Sequence, residues 1–137
     1  MRRLKRFAQI SWTERLLLLR ALFIIAAARA SLWLLPVAAA RRLVMAATAF
    51  TGHEGCTALC VWAVKVASRY VPRATCLTQA LAVQALLAQA GRDSHVEIGV
   101  AKDAGKFEAH AWVVCGDRIV IGGPDVSRYS RLTTWVR

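Results

Sequence analysis

Cys76 and His110 are the residue pair in this chain best suited to covalent chemistry. Cys76 opens an alanine- and leucine-rich stretch, residues 75–87, that reads as a helix. A thiol at a helix N-terminus meets unpaired backbone N–H groups and the positive end of the helix dipole, which favour the thiolate. His110 lies in the β-like run Phe107-Glu108-Ala109-His110-Ala111-Trp112-Val113-Val114. An imidazole on a rigid strand can take the thiol proton and return it to a leaving amine.

The remaining cysteines and histidines have plainer readings. Period-two alternation puts His110, Trp112 and Val114 on one strand face and Ala111, Val113 and Cys115 on the other, so Cys115 is a packing residue. Cys56 and Cys60 stand at helical spacing with no metal-site partners nearby, which favours core packing over zinc. No metal or cofactor is expected. His53 lies in a Gly-flanked turn and His95 at a strand start, both ordinary places for a histidine. Thr78 and Gln79 follow Cys76 in the first turn and are read as packing or helix-surface residues, because the Cys76 N–H can itself serve an oxyanion. Trp112, beside His110, is read as a shield against water.

Positioning these residues takes helices first and strands afterwards. Ser11-Trp12-Thr13-Glu14 is a helix start with a hydroxyl three residues before a carboxylate, and the helix should continue to Leu35, with Pro36 kinking or ending it. Further helices are expected over Val37 to Phe50, over Glu54 to Tyr70 and from Cys76 to Gly91. Beyond Gly91, Val96, Ile98 and Val100 alternate with polar or small residues as in a half-buried strand. A turn at 103–106, a strand from Phe107 to Cys115 and a two-residue turn at Gly116-Asp117 before Arg118 to Ile121 complete a hairpin set. A two-residue turn pairs 115 with 118 and puts Gly123 opposite His110. The tail from Val126 carries no clear pattern. The fold class is therefore α+β, with the Cys76 helix packed on a small antiparallel sheet.

With 137 residues the chain suits a single domain able to bury a core without disulfides, here an apolar, basic helical region (1–71) followed by a core that bears the candidate site (72–137). Residues 1–50 hold nine Lys and Arg against one acid, Glu14, a balance of +8; the rest of the chain balances at +3. The basic residues are dispersed along apolar helices and match no nucleic-acid motif, so an acidic partner or an anionic membrane surface is the better expectation. Residues 21–28 and 30–40, taken as separate apolar stretches, fall short of the ~18 to 20 residues of a membrane span. A signal peptide also fits poorly behind an arginine-studded lead-in, so a cytoplasmic protein with reduced thiols is expected. Its apolar surface over residues 15–50 calls for a partner or a membrane to cover it.

Cys76-Leu77-x-x-Ala80-Leu81-Ala82, the strand ending Ile98-Gly99-Val100, the Phe107-x-Ala109-His110-Ala111-Trp112-Val113 segment and the following hairpin resemble the leader peptidase of lasso-peptide biosynthesis. That family sits in the transglutaminase-like, papain-related cysteine protease superfamily. The resemblance implies a transglutaminase-like core. It also implies cleavage of a ribosomally made precursor between leader and core, with Cys76 as nucleophile and His110 as general base and acid. Implied partners are the precursor, a separate leader-recognition protein and an ATP-dependent macrolactam cyclase. The family's third member, an Asp after the His strand, falls where this chain has Gly122 and Gly123. Asp117 is too far along the strand, whereas Asp125 shares the parity of Gly123 and is the candidate carboxylate; a plain turn role for Asp125, with a backbone carbonyl or water fixing the imidazole instead, stays open. Two other functions stay open: peptide acyl transfer by the same Cys76 and His110, and a non-catalytic scaffold that holds precursor or cyclase through the basic helices.

Overall fold

In the computed structural model, which describes residues 10–48, 56–71, 75–103, 105–122 and 129–136, the first helix starts where the sequence places it. The Glu14 N–H donates to Ser11 Oγ at 3.3 Å and the Ser11 N–H donates to the Glu14 carboxylate at 3.0 Å. This reciprocal capping box satisfies two otherwise orphaned donors. Helix α1 then runs Trp12–Leu34, and Leu35 takes the extended backbone that a following proline demands. Pro36 thus ends the helix, and α2 follows at Val37–Thr48. Helix α3 spans Thr57–Ser68 and α4 spans Cys76–Gln89. The expected start of α3 at Glu54 lies outside the described residues.

Helix α1 corrects the reading of two short apolar stretches. Arg29 does not interrupt it, because an arginine is a good helix former, and the result is a 23-residue helix long and apolar enough to cross a membrane by length and composition. One side of it is nonetheless core: Leu17, Ala21, Ile24, Ile25 and Ala28 are buried in one cluster with residues of α3 and α4. The other side exposes Trp12, Leu16, Leu19, Phe23 and Trp33, a stripe at alternating steps of three and four with Ala26 and Ala30 between. Apolar residues on both sides leave the helix little amphipathic contrast, which is why its inward face cannot be read from pattern alone.

Helix α4 is the centre of the packing. Every residue from Ala80 to Leu87 is buried, as expected of a helix that is apolar all round. It ends at Gly91, whose φ of +74° suits a residue without Cβ.

The four strands are β1 (His95–Asp103), β2 (Lys106–Cys115), β3 (Arg118–Ile121) and β4 (Ser130–Val136). They form one antiparallel sheet in the order β3-β2-β1-β4. Strand β4 comes from the tail whose pattern was unclear. Val96, Ala111 and Val113 face the helices and join the core, with Ile98 packed against it. The architecture is α+β, as expected.

The two sides of α1 give a direct test. Ile25→Ala should cost about 2–5 kcal/mol in urea unfolding, whereas Phe23→Ala, two residues away and 73% exposed, should change stability by less than about 0.5 kcal/mol.

Candidate active site

Cys76 is the first residue of α4, and its surroundings are set by Thr75, the N-cap. Thr75 Oγ1 accepts from the Thr78 N–H at 3.3 Å and shares a hydrogen bond with the Thr78 hydroxyl at 3.1 Å, while the Gln79 N–H donates to the Thr75 carbonyl at 3.0 Å. Thr78 is buried in this cap, so its packing role holds. The N–H groups of Cys76 and Leu77 precede the first helical bond and are the donors left for an anion at this end.

His110 stands on β2 directly opposite Gly99 of β1. Its Nε2–H donates to the carbonyl of Gly122. A carbonyl can only accept, so Nε2 carries the ring proton and Nδ1 is the nitrogen left to take one. The Trp112 ring lies 6.2 Å from the imidazole and the Tyr129 ring 5.2 Å, centroid to centroid. Trp112 is buried, as a water shield must be, and its indole N–H donates to Glu97 Oε2 at 2.6 Å. The other oxygen, Glu97 Oε1, lies 3.0 Å from an Arg131 guanidinium nitrogen and 3.2 Å from His95 Nε2.

Two glycines make room for this indole. A Cβ on Gly99 would come within 2.8 Å of Trp112 Cη2 and of Tyr129 Cβ. At Gly122, where φ is +119°, a Cβ would lie 2.3 Å from Trp112 Cβ. Gly122 therefore cannot carry the family's carboxylate without displacing Trp112, and its backbone oxygen meets His110 instead. The expected pairing of Gly123 with His110 lies beyond the described ladder, but the plain hairpin count behind it fails at Val113. The two-residue turn does pair Cys115 with Arg118, but a bulge in β3 then inserts Val120, so Val113 pairs with Ile121 and the register is one residue longer than a plain hairpin count gives. Gly123, Asp125 and His53 lie outside the described residues.

Cys76 and His110 line one cleft of about 620 Å³, together with Lys65, Gln79, Ala111 and Gly122. Gln79, read as a helix-surface residue, is thus placed where it can touch a substrate. No hydrogen bond joins Cys76 to His110 among the described residues, so the two share a cleft without forming a preassembled pair; such bonds often tighten only once substrate is bound. The other thiols are elsewhere. Cys60 is fully buried, and loss of solvation, reinforced by nearby Cys56, pushes its thiol up to about 11, which keeps it neutral at ordinary pH. Cys56 is the exposed N-cap of α3, and Cys115 donates to the Asp93 carbonyl at 3.5 Å. Sequence reasoning missed Glu97 and Tyr129, and it quoted Gly99 within a motif without finding its role. A lone glutamate in an alternating strand reads as a solvent-facing residue, and only its pairing with Trp112 across β1 and β2 marks it as part of this cluster.

A family model described as the transglutaminase-like superfamily matches residues 8–134. No curated protein and no solved structure matches the chain.

The need for glycine at 122 is testable by folding alone. Gly122→Ala should lower stability by about 2 kcal/mol or more, from the unfavourable φ and the collision with Trp112, and chemical denaturation will measure it.

Proposed function

The chain belongs to the transglutaminase-like superfamily, and from that premise we propose that it is a cysteine peptidase that removes the leader from a ribosomally made lasso-peptide precursor. The observation that carries the reading is one cleft holding a thiol at a buried helix's N-terminus and an imidazole whose Nε2–H is tied to a backbone carbonyl. In this reading the Cys76 sulfur attacks the scissile carbonyl carbon as its proton passes to His110 Nδ1. The resulting oxyanion meets the Cys76 N–H. Collapse of the intermediate breaks the C–N bond, and His110 gives its proton to the departing core amine. Water, activated by the now neutral His110, then adds to the thioester; on collapse the leader carboxylate leaves and the thiol regains its proton. Asp125 is proposed as a further orienter of the imidazole beside the Gly122 carbonyl. The proposed partners are the precursor, a separate leader-recognition protein that presents it and an ATP-dependent cyclase that uses the freed core amine, and the proposed location is the cytoplasm.

The missing hydrogen bond between Cys76 and His110 favours a second reading, a non-catalytic scaffold for precursor and cyclase. Mass spectrometry of the precursor, incubated with the leader-presenting protein, separates the two. Peptidase action gives cleavage at one leader–core junction that is lost in Cys76→Ala and cut heavily in Asp125→Asn without unfolding; an intact precursor despite measured binding supports the scaffold. Full activity of Asp125→Asn would remove Asp125 from the mechanism.

The exposed stripe of α1 is assigned in the same reading to a peripheral contact with an anionic membrane surface. Support comes from its aromatic and leucine side chains and from the +8 balance of the first fifty residues, a combination suited to anionic lipid. The chain should sediment with vesicles of equal parts phosphatidylglycerol and phosphatidylcholine, and the double variant Leu19→Glu/Phe23→Glu should not. Failure of the unaltered chain to sediment would overturn the assignment.

A further inference from the structure

The cleft of Cys76 and His110 does not stop at Lys65, Ile119 and Val120. Those three residues also line a second, larger cavity of about 1110 Å³. It lies between α3 and β3, with Val61, Trp62, Val66 and Tyr70 on the helix side and Arg118, Ile119 and Val120 on the strand side. The two cavities together make a groove that leads away from the thiol.

Two properties of this groove select a ligand class. Among the described residues its charge has one sign: Lys65, Arg69 and Arg118 line it, no described carboxylate does, and all three cations are exposed with no ion pair to another described residue. Its strand wall is also an edge, since β3 is the outermost strand beside β2. A sheet edge offers unpaired backbone N–H and C=O groups to an incoming extended chain. Lys65 is in the last turn of α3 and Arg69 is its C-cap, four residues and about 6 Å further along the axis. Alternate residues of an extended peptide are spaced by about 6.6 Å, so carboxylates at every second position match the two cations.

We propose that this groove binds an extended segment of the substrate peptide in which acidic side chains alternate with apolar ones. The carboxylates face Lys65, Arg69 and Arg118, and the apolar side chains lie against Trp62 and Tyr70. As a substrate site this rests on the peptidase reading above, but binding itself can be measured without catalysis.

The test uses the full chain carrying Cys76→Ala and two fluorescein-labelled ten-residue peptides. One alternates glutamate with leucine and valine; the other replaces each glutamate by glutamine. Fluorescence anisotropy should show the acidic peptide binding at least tenfold more tightly, with an advantage that shrinks as salt rises. Arg69→Glu/Arg118→Glu should abolish the advantage with thermal unfolding unchanged. Arg29→Glu/Arg42→Glu, which changes net charge equally but lies on α1 and α2, should keep it. Equal binding of the two peptides, or equal loss in both double variants, would overturn the proposal. Because the protein tested is already inactive, an uncleaved precursor bears on the peptidase reading and leaves this result standing.

Discussion

The Trp112 indole and the Glu97 carboxylate form the interaction on which the candidate site is built. Burying a carboxylate is costly unless donors surround it, and here the indole N–H, Arg131 and His95 supply them. The indole held by that bond occupies space that side chains at positions 99 and 122 would need, so both are glycine. Gly122, with no side chain to place, brings its carbonyl to His110 Nε2. A tryptophan and a glutamate that touch no reacting atom thus decide which imidazole nitrogen is free.

The thiol is placed by a separate constraint. Helix α4 is buried on all sides from Ala80 to Leu87, so the surrounding helices and the sheet fix its axis and its depth. Thr75 and Thr78 fix where it begins. Cys76 therefore enters the cleft from a rigid helix end and His110 from a rigid strand, and neither depends on a loop for its position. Helix α1 supplies one wall of the core with one face and leaves its other face, apolar and flanked by arginine, outside.

Features set by neighbours in sequence were legible: the Ser11 capping box, the stop at Pro36, the helix start at Cys76 and the Gly116-Asp117 turn. The α+β class followed from the change of hydrophobic period after Gly91, and residue type alone singled out Cys76 and His110, which line one cleft. Three features set by distant residues were not. The bulge that inserts Val120 leaves no mark in the sequence, because Ile119, Val120 and Ile121 are equally at home on either side of a strand. Strand β4 lacks alternation and gains its identity from pairing with β1. Glu97 becomes a structural residue only through Trp112, fifteen positions away. The helix through Leu35 was legible as well, but its membrane-spanning apolar length was not, because one arginine such as Arg29 does not end an apolar helix face.

The central claim is that Cys76 and His110 act as one chemical unit. The rate at which iodoacetamide alkylates Cys76 at pH 7, followed by peptide mass spectrometry in the unaltered chain and in His110→Ala, tests it most directly. The account predicts at least tenfold faster alkylation when His110 is present; equal rates in two folded proteins would contradict it.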